Sequence, residues 1–372
     1  MLISNPMRLR TPRSLIPFVT AAVVAWVLSP LDSIAEPENR GPLTVETWDA
    51  GNVALDSVPI PLTVYYPKEV TEPAPIVAVL HGSSRTGANM AEMAQTLASH
   101  GSVALVPNMP CNIFGCDHAA NARQVRALLD WAVDRGADQE SPLGGRVDGE
   151  RRGVVGHSFG GLAVFLAAES HPEIDVVVVL DGQDDGGVAA AAAPSVTQPS
   201  AHLLAENLGS CNGTDWKQSV FPLTPAPHLR VVVSGSGHCD VEEPGDDLCP
   251  SVCGGGDPTL SYLFRRYTVA FVGCVLANDG DMATWVGGES LDKDSSESRL
   301  SLVESSELRS LPCHTNPKSP SAPKPPPVTD ESEAGCSCAS TVVGRGLVTL
   351  MFLGAFAFYF RRRFRESLVT RN

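Results

Sequence analysis

Positive charge is scarce in this chain. Lys and Arg total 27 against 42 Asp and Glu, giving a net charge of −15 and a pI near 5.0. That balance argues against nucleic acid as a partner and against adhesion of the body of the chain to anionic lipid. The chain also has no separate propeller-like or large lid domain of the kind that selects peptides. What is present is 372 residues at 43% hydrophobic. That suffices for one large α/β domain with extra segments.

Two apolar runs mark the ends. Arg8, Arg10 and Arg13 precede Leu15 to Leu28, and Ser33-Ile34-Ala35 offers small residues before a cut ahead of Glu36. This pattern predicts an export signal over residues 1–35. At the other end, Leu347 to Phe360 is apolar and Arg361-Arg362-Arg363-Phe364-Arg365 follows it. From Thr341 the stretch approaches the length of a bilayer helix, with the basic cluster on the cytoplasmic side. The body of the protein is therefore expected outside the cytoplasm, held to the membrane through residues 335–372. Between about Gly287 and residue 334, Ser, Glu, Asp and then Pro dominate. That composition predicts a stalk too polar to bury a core.

Ten cysteines suit an exported chain. Cys336 and Cys338 belong to the tail. The other eight allow about 105 pairings, so connectivity is open, and Cys111 with Cys116 is the simplest local pair. Zinc is the rival for Cys249-x-x-x-Cys253, but disulfides are expected in this compartment.

From residue 36 to 286 the chain alternates strands with helices. Leu43 to Trp48 and Ile60 to Tyr66 form an antiparallel opening. Ile76 to Leu80, Val103 to Val106, Val147 to the elbow, Asp175 to Leu180, Ala201 to Ala205 and Leu229 to Val233 are strands. Several are continuous apolar runs, as in strands buried on both faces. Ala88 to His100, Ala119 to Arg135, Phe159 to Ser170 and Leu260 to Leu276 are helices. Ala189 to Pro199 is a low-complexity connector. The fold class is α/β, with a mostly parallel sheet flanked by helices.

The stretch Gly156-His157-Ser158-Phe159-Gly160 carries the chemistry. G-x-S-x-G between a buried strand and an apolar helix holds a serine on a sharp turn, its hydroxyl projecting from the sheet. A serine hydroxyl needs an adjacent base, an orienter for the base, and donors for the oxyanion. His238 is the base candidate. It follows the last strand in a flexible Ser-Gly loop and comes after both serine and acid in chain order. His157 sits within the elbow and is expected to point away from the pocket. Asp181 is the preferred acid because it directly ends an apolar strand; Glu206, Asp184 and Asp185 are alternatives. The oxyanion donors would be the backbone N–H groups of Ser83 and Phe159. No cofactor and no metal are needed. The acidic run Asp240, Glu242, Glu243, Asp246 and Asp247 admits a calcium site but reads first as a solvated loop.

Residues 43–280 resemble a branch of the α/β-hydrolases. It groups platelet-activating-factor acetylhydrolases, chlorophyllases and cutinase-like polyester hydrolases, with dienelactone-hydrolase-like topology. The resemblance rests on Leu80-His81-Gly82, Leu97-Ala98-Ser99-His100-Gly101 and Gly156-His157-Ser158-Phe159-Gly160-Gly161. It implies Ser158, Asp181 and His238 as the triad. In the acetylhydrolase and chlorophyllase branch the acid follows the strand after the nucleophile, as Asp181 does. Polyester hydrolases keep it one strand later, near Ala205-Glu206-Asn207. The tail from Gly335-Cys336 resembles the C-terminal sorting signal of myxobacterial surface proteins. The expected activity is hydrolysis of a small-molecule, lipid or polymer ester. A serine peptidase, an acyltransferase and a non-catalytic display or adhesion module are the alternatives.

Overall fold

The computed structural model describes residues 36–112 and 115–318. The expected export signal, the proline-rich stretch beyond residue 318 and the C-terminal segment lie outside the described residues.

The chain opens with two long antiparallel strands, β1 (Val45–Leu55) and β2 (Val58–Pro67). The all-buried β3 (Ala74–Leu80) follows, then α1 (Ala91–Ser99) and β4 (Val103–Pro107). A small hairpin, β5 (Cys111–Asn112) with β6 (Gly115–Cys116), precedes α2 (His118–Ala137). Next come β7 (Val147–His157), α3 (Phe159–Ser170), β8 (Val176–Leu180), α4 (Val188–Ala192), β9 (Ser200–Ala205) and β10 (His228–Val233). The chain then runs through α5 (Leu248–Cys253), α6 (Ser261–Val272), α7 (Glu289–Ser296), β11 (Leu300–Ser306) and α8 (Pro312–Thr315).

Nine strands share one sheet in the order β1-β2-β4-β3-β7-β8-β9-β10-β11. The pairs from β4 to β10 are parallel, and β1-β2, β2-β4 and β10-β11 are antiparallel. This is the mostly parallel, helix-flanked sheet of the α/β-hydrolase fold. Alternation along β3 divides the core in two. Ile76, Ala78 and Leu80 face the α2–α3 layer, and Val77 and Val79 face the α1–α6 layer. All five residues of β8 are fully buried. At about 1.5–3 kcal/mol per buried aliphatic side chain, this strand alone contributes on the order of 10 kcal/mol of gross burial. The strand order turns back at β3, so the loops after β3 and β7 diverge there. Such a crevice at the carboxyl ends of parallel strands is where this architecture forms its sites.

Two expectations are corrected. The polar stretch from Gly287 is not a stalk as far as residue 316. It supplies α7, the edge strand β11 paired with β10, and α8, and a disulfide joins Cys274 to Cys313. An edge strand is secured mainly by its ladder, so it needs little apolar content. In β11 Leu300 is buried and most other residues are exposed. The connector at 189–199 also contains a short helix, α4. The segment Pro258–Ala277 is long and apolar enough to cross a membrane by composition, but much of it is buried against the sheet.

The eight body cysteines form four disulfides: Cys111–Cys116, Cys211–Cys253, Cys239–Cys249 and Cys274–Cys313. The local pair is as expected. The zinc alternative fails, because Cys249 and Cys253 are each oxidised with a different partner.

Candidate active site

β7 ends in a turn that only glycine permits. A Cβ on Gly156 would lie 2.2 Å from the carbonyl oxygen of Gly160, and one on Gly160 would lie 2.4 Å from that of His81. Ser158 between them adopts φ 56° and ψ −122°. This conformation costs on the order of 1–3 kcal/mol and persists only where the surroundings hold it. Those surroundings are visible. Ser158 N–H donates to Leu180 O at 3.0 Å, and its carbonyl accepts from Leu162 N–H at 3.1 Å. α3 begins at once with Phe159, so the positive end of a helix dipole and its unpaired first-turn N–H groups face the serine.

The loop after β3 passes directly over this turn. A Cβ on Gly82 would be 3.0 Å from Ser158 Cβ. Ser83 follows, half-buried. The loop is fixed on both sides. Arg85 N–H donates to Gly82 O at 3.2 Å and Ser84 N–H to Cys111 O at 2.9 Å, within the Cys111–Cys116 hairpin. His81 is structural. Its Nε2 accepts from Met109 N–H at 2.9 Å, so its Nδ1 donates to Gly82 O at 2.8 Å. Burial lowers its pKa and keeps it neutral.

Asp181 ends β8 in a left-handed conformation, φ 42°. Its N–H donates to Leu203 O at 2.7 Å. Its Oδ1 accepts from Ala205 N–H at 2.9 Å. Its Oδ2 accepts from Asn212 Nδ2 at 2.8 Å and lies 2.6 Å from His238 Nδ1. The Asp181 and His238 side chains are 4% and 3% exposed, so this contact is dry.

The loop carrying His238 is held by several contacts. Asp240 Oδ2 accepts from Gly237 N–H and from Asp257 N–H, both at 2.7 Å. Ser236 Oγ donates to Val233 O at 2.8 Å, and Cys239 is tied to Cys249. His157 is fully buried; its Nε2 donates to His238 O at 2.9 Å, and the two rings lie 4.6 Å apart. Complete burial, with the neighbouring His238 a second cause, holds its pKa well below the ordinary value. His157 is thus a neutral prop beneath His238.

The alternative acids are occupied elsewhere. Glu206 is exposed, and its Oε2 accepts from Gly235 N–H at 2.7 Å, which is the chief cause of its lowered pKa. Asp184 accepts from Ala189 N–H and Ala190 N–H at the start of α4. Asp185 lies 3.1 Å from His118 Nε2. Four of the five acids after His238 have protein partners: Glu242 and Asp246 pair with Arg85, Glu243 with Arg265, and Asp240 caps two backbone amides.

Sequence reasoning missed Asn212. It is buried, it donates to Asp181, and its Oδ1 accepts from Gly209 N–H at 2.7 Å. Its neighbour Cys211 is bonded to Cys253 on α5, the helix that also holds Cys249. One short helix therefore braces both the loop under Asp181 and the loop of His238. No local pattern marks Asn212; only its place beside a cysteine was visible.

Residues 32–196 match the PET hydrolase-like family. The chain is 30% identical over 152 residues to cutinase 2 of Thermobifida cellulosilytica, covering 41% of this chain and 55% of that protein. It is equally similar to cutinase cut1 of Thermobifida fusca, covering 41% and 45%. It is 28% identical over 191 residues to the bis(hydroxyethyl) terephthalate hydrolase of Streptomyces coelicolor, covering 46% and 59%. The chain thus spans about half the length of the curated relatives it matches.

Proposed function

We propose that this chain, an α/β-hydrolase related to the cutinase-like polyester hydrolases, cleaves carboxylic esters through an acyl-enzyme on Ser158. The observation that carries this reading is the buried 2.6 Å contact between His238 Nδ1 and Asp181 Oδ2, at the same carboxyl end of the sheet as the strained serine. With Nδ1–H held by the carboxylate, His238 presents Nε2 as the basic nitrogen. It takes the Ser158 proton as Oγ attacks the acyl carbon. Asp181 stabilises the imidazolium that forms. The oxyanion is held by the N–H groups of Ser83 and Phe159. The imidazolium then protonates the leaving alcohol. A water, activated by the same nitrogen, releases the acid and restores the serine.

This reading assigns the acid to Asp181, one strand earlier than the position near Glu206 expected for polyester hydrolases. The names of the relatives favour ester substrates, including polymeric ones. Four disulfides and the two apolar ends support an exported enzyme held at the cell surface. The test pairs a fluorophosphonate probe with two substrates, p-nitrophenyl butyrate and a peptide p-nitroanilide. Labelling of Ser158 and turnover of the ester far above the anilide are expected. A folded protein that takes no label on Ser158 would sink the enzyme reading, and faster anilide cleavage would make it a peptidase.

A further inference from the structure

We propose that the buried Arg85–Glu242 ion pair is a positioning device that sets the oxyanion loop against the loop of the catalytic base. This inference rests on the reading above. Arg85 lies two residues after Ser83, and Glu242 lies four residues after His238. Arg85 Nε donates to both Glu242 oxygens, at 2.7 and 3.0 Å, and Nη2 donates to Oε2 at 2.5 Å. The side chains are 8% and 1% exposed. Asp246 Oδ2 adds a contact to Arg85 Nη2 at 2.9 Å.

The backbone joins the same two loops. Glu243 N–H donates to Asn89 O at 2.7 Å, and Glu92 N–H donates to Glu243 O at 3.0 Å. Asn89 Nδ2 donates to Pro244 O at 3.2 Å. The elbow is part of this assembly as well. His157 Nδ1 is buried without a hydrogen bond and lies 3.7 Å from Glu242 Oε1, while its Nε2 holds the His238 carbonyl. Glu242 therefore sits between the oxyanion loop, the nucleophile turn and the base.

Stability alone is a poor reason for such a pair. Desolvation offsets most of its attraction, and apolar residues of similar volume often replace a buried pair without loss. What an Arg–carboxylate fork supplies is a fixed distance and plane. Acyl transfer requires that geometry, because the donor at Ser83 and the nitrogen of His238 must meet one tetrahedral centre.

The experiment compares the full protein with the double variant Arg85→Met with Glu242→Leu, and with the charge-preserving Arg85→Lys and Glu242→Asp. Melting temperature, kcat, KM and the rate of fluorophosphonate labelling are read for each. The double variant should melt near the wild type yet lose about 30-fold in kcat and in labelling rate, with KM nearly unchanged, since misplacement near 1 Å costs roughly 10²-fold. The charge-preserving variants should fall between, and they carry the test if the double variant does not fold. Variants that melt normally and keep wild-type kcat and labelling would overturn the proposal. A wild-type protein without Ser158-dependent turnover would instead fail the functional reading, a distinguishable result.

Discussion

Two of the disulfides close loops of nearly equal length but stand in different relations to the site. Cys211–Cys253 spans 42 residues and Cys274–Cys313 spans 39. In the chain-entropy account the stabilisation depends only on loop length, and both bonds come to about 4 kcal/mol at 25 °C. For a domain of this size that is a fall of about 10 °C in melting temperature for either pair. Their effects on turnover should differ. Cys211 adjoins Asn212, which donates to Asp181, and Cys253 lies on the helix that also braces the His238 loop. Cys274, two residues past the end of α6, is joined to Cys313 on α8. Removing Cys211 and Cys253 together, as serines, should lower kcat about tenfold at 20 °C, where the variant is still folded, through a loosened carboxylate. Removing Cys274 and Cys313 in the same way should leave kcat near wild type. The assay is ester turnover beside a urea or thermal melt for each double variant. Equal melting losses with equal kcat in both would refute the bracing argument. An equal fall in kcat would show that the effect is general loosening.

Three further outcomes follow from the geometry. Asp181→Asn should lower kcat about 10⁴-fold, and Glu206→Gln, an exposed change, should alter it by about twofold at most; the opposite ranking in ester turnover would reassign the acid. Asn212→Ala removes a hydrogen bond to a charged group, so a denaturant melt should show a loss of about 1.5–3 kcal/mol, with kcat reduced and KM little changed. His202 is fully buried, where Trp216 Nε1–H donates to its Nδ1 at 2.9 Å, and burial lowers its pKa to about 3. The unfolded chain binds this proton near pH 6.5 and the folded chain does not. Stability should therefore fall as pH drops from about 6.5 towards 3, with a slope from this residue approaching ~1.4 kcal/mol per pH unit. His202→Gln, which keeps an acceptor for Trp216 and does not titrate, should flatten that part of the stability curve measured by urea melts.

The central elements were legible because their signals are local. Val176 to Leu180 is a continuous apolar run, and burial on both faces is the natural fate of such a run. The elbow was visible because its G-x-S-x-G pattern is local, although only Gly156 is demanded by a near neighbour, Gly160, whereas Gly160 is demanded by the distant backbone of His81. Asp181 and His238 could be named from strand ends and chain order, though 57 residues separate them. The rest depends on distant pairing. β11 is polar because an edge strand is held by hydrogen bonds to β10, so composition made it look like a stalk. The acidic run after His238 looked solvated, but Glu242 meets Arg85 across 157 residues. The packing of His157 against His238 was not legible, because the alternation of the strand says which way a side chain leaves the sheet, and not what the returning loop puts there. Asn212 showed nothing beyond its place beside a cysteine, since its contact with Asp181 exists only once the chain has folded its loop beneath that residue.

The central claim is that an acyl group passes through Ser158. Rapid mixing of the full protein with p-nitrophenyl butyrate, acid quenching within milliseconds and peptide mapping by mass spectrometry test it directly. The account predicts a butyryl adduct on the peptide carrying Ser158, appearing with a burst of p-nitrophenol and accumulating further in a variant slow to deacylate. Turnover with no adduct there, or an adduct on another residue, would contradict it.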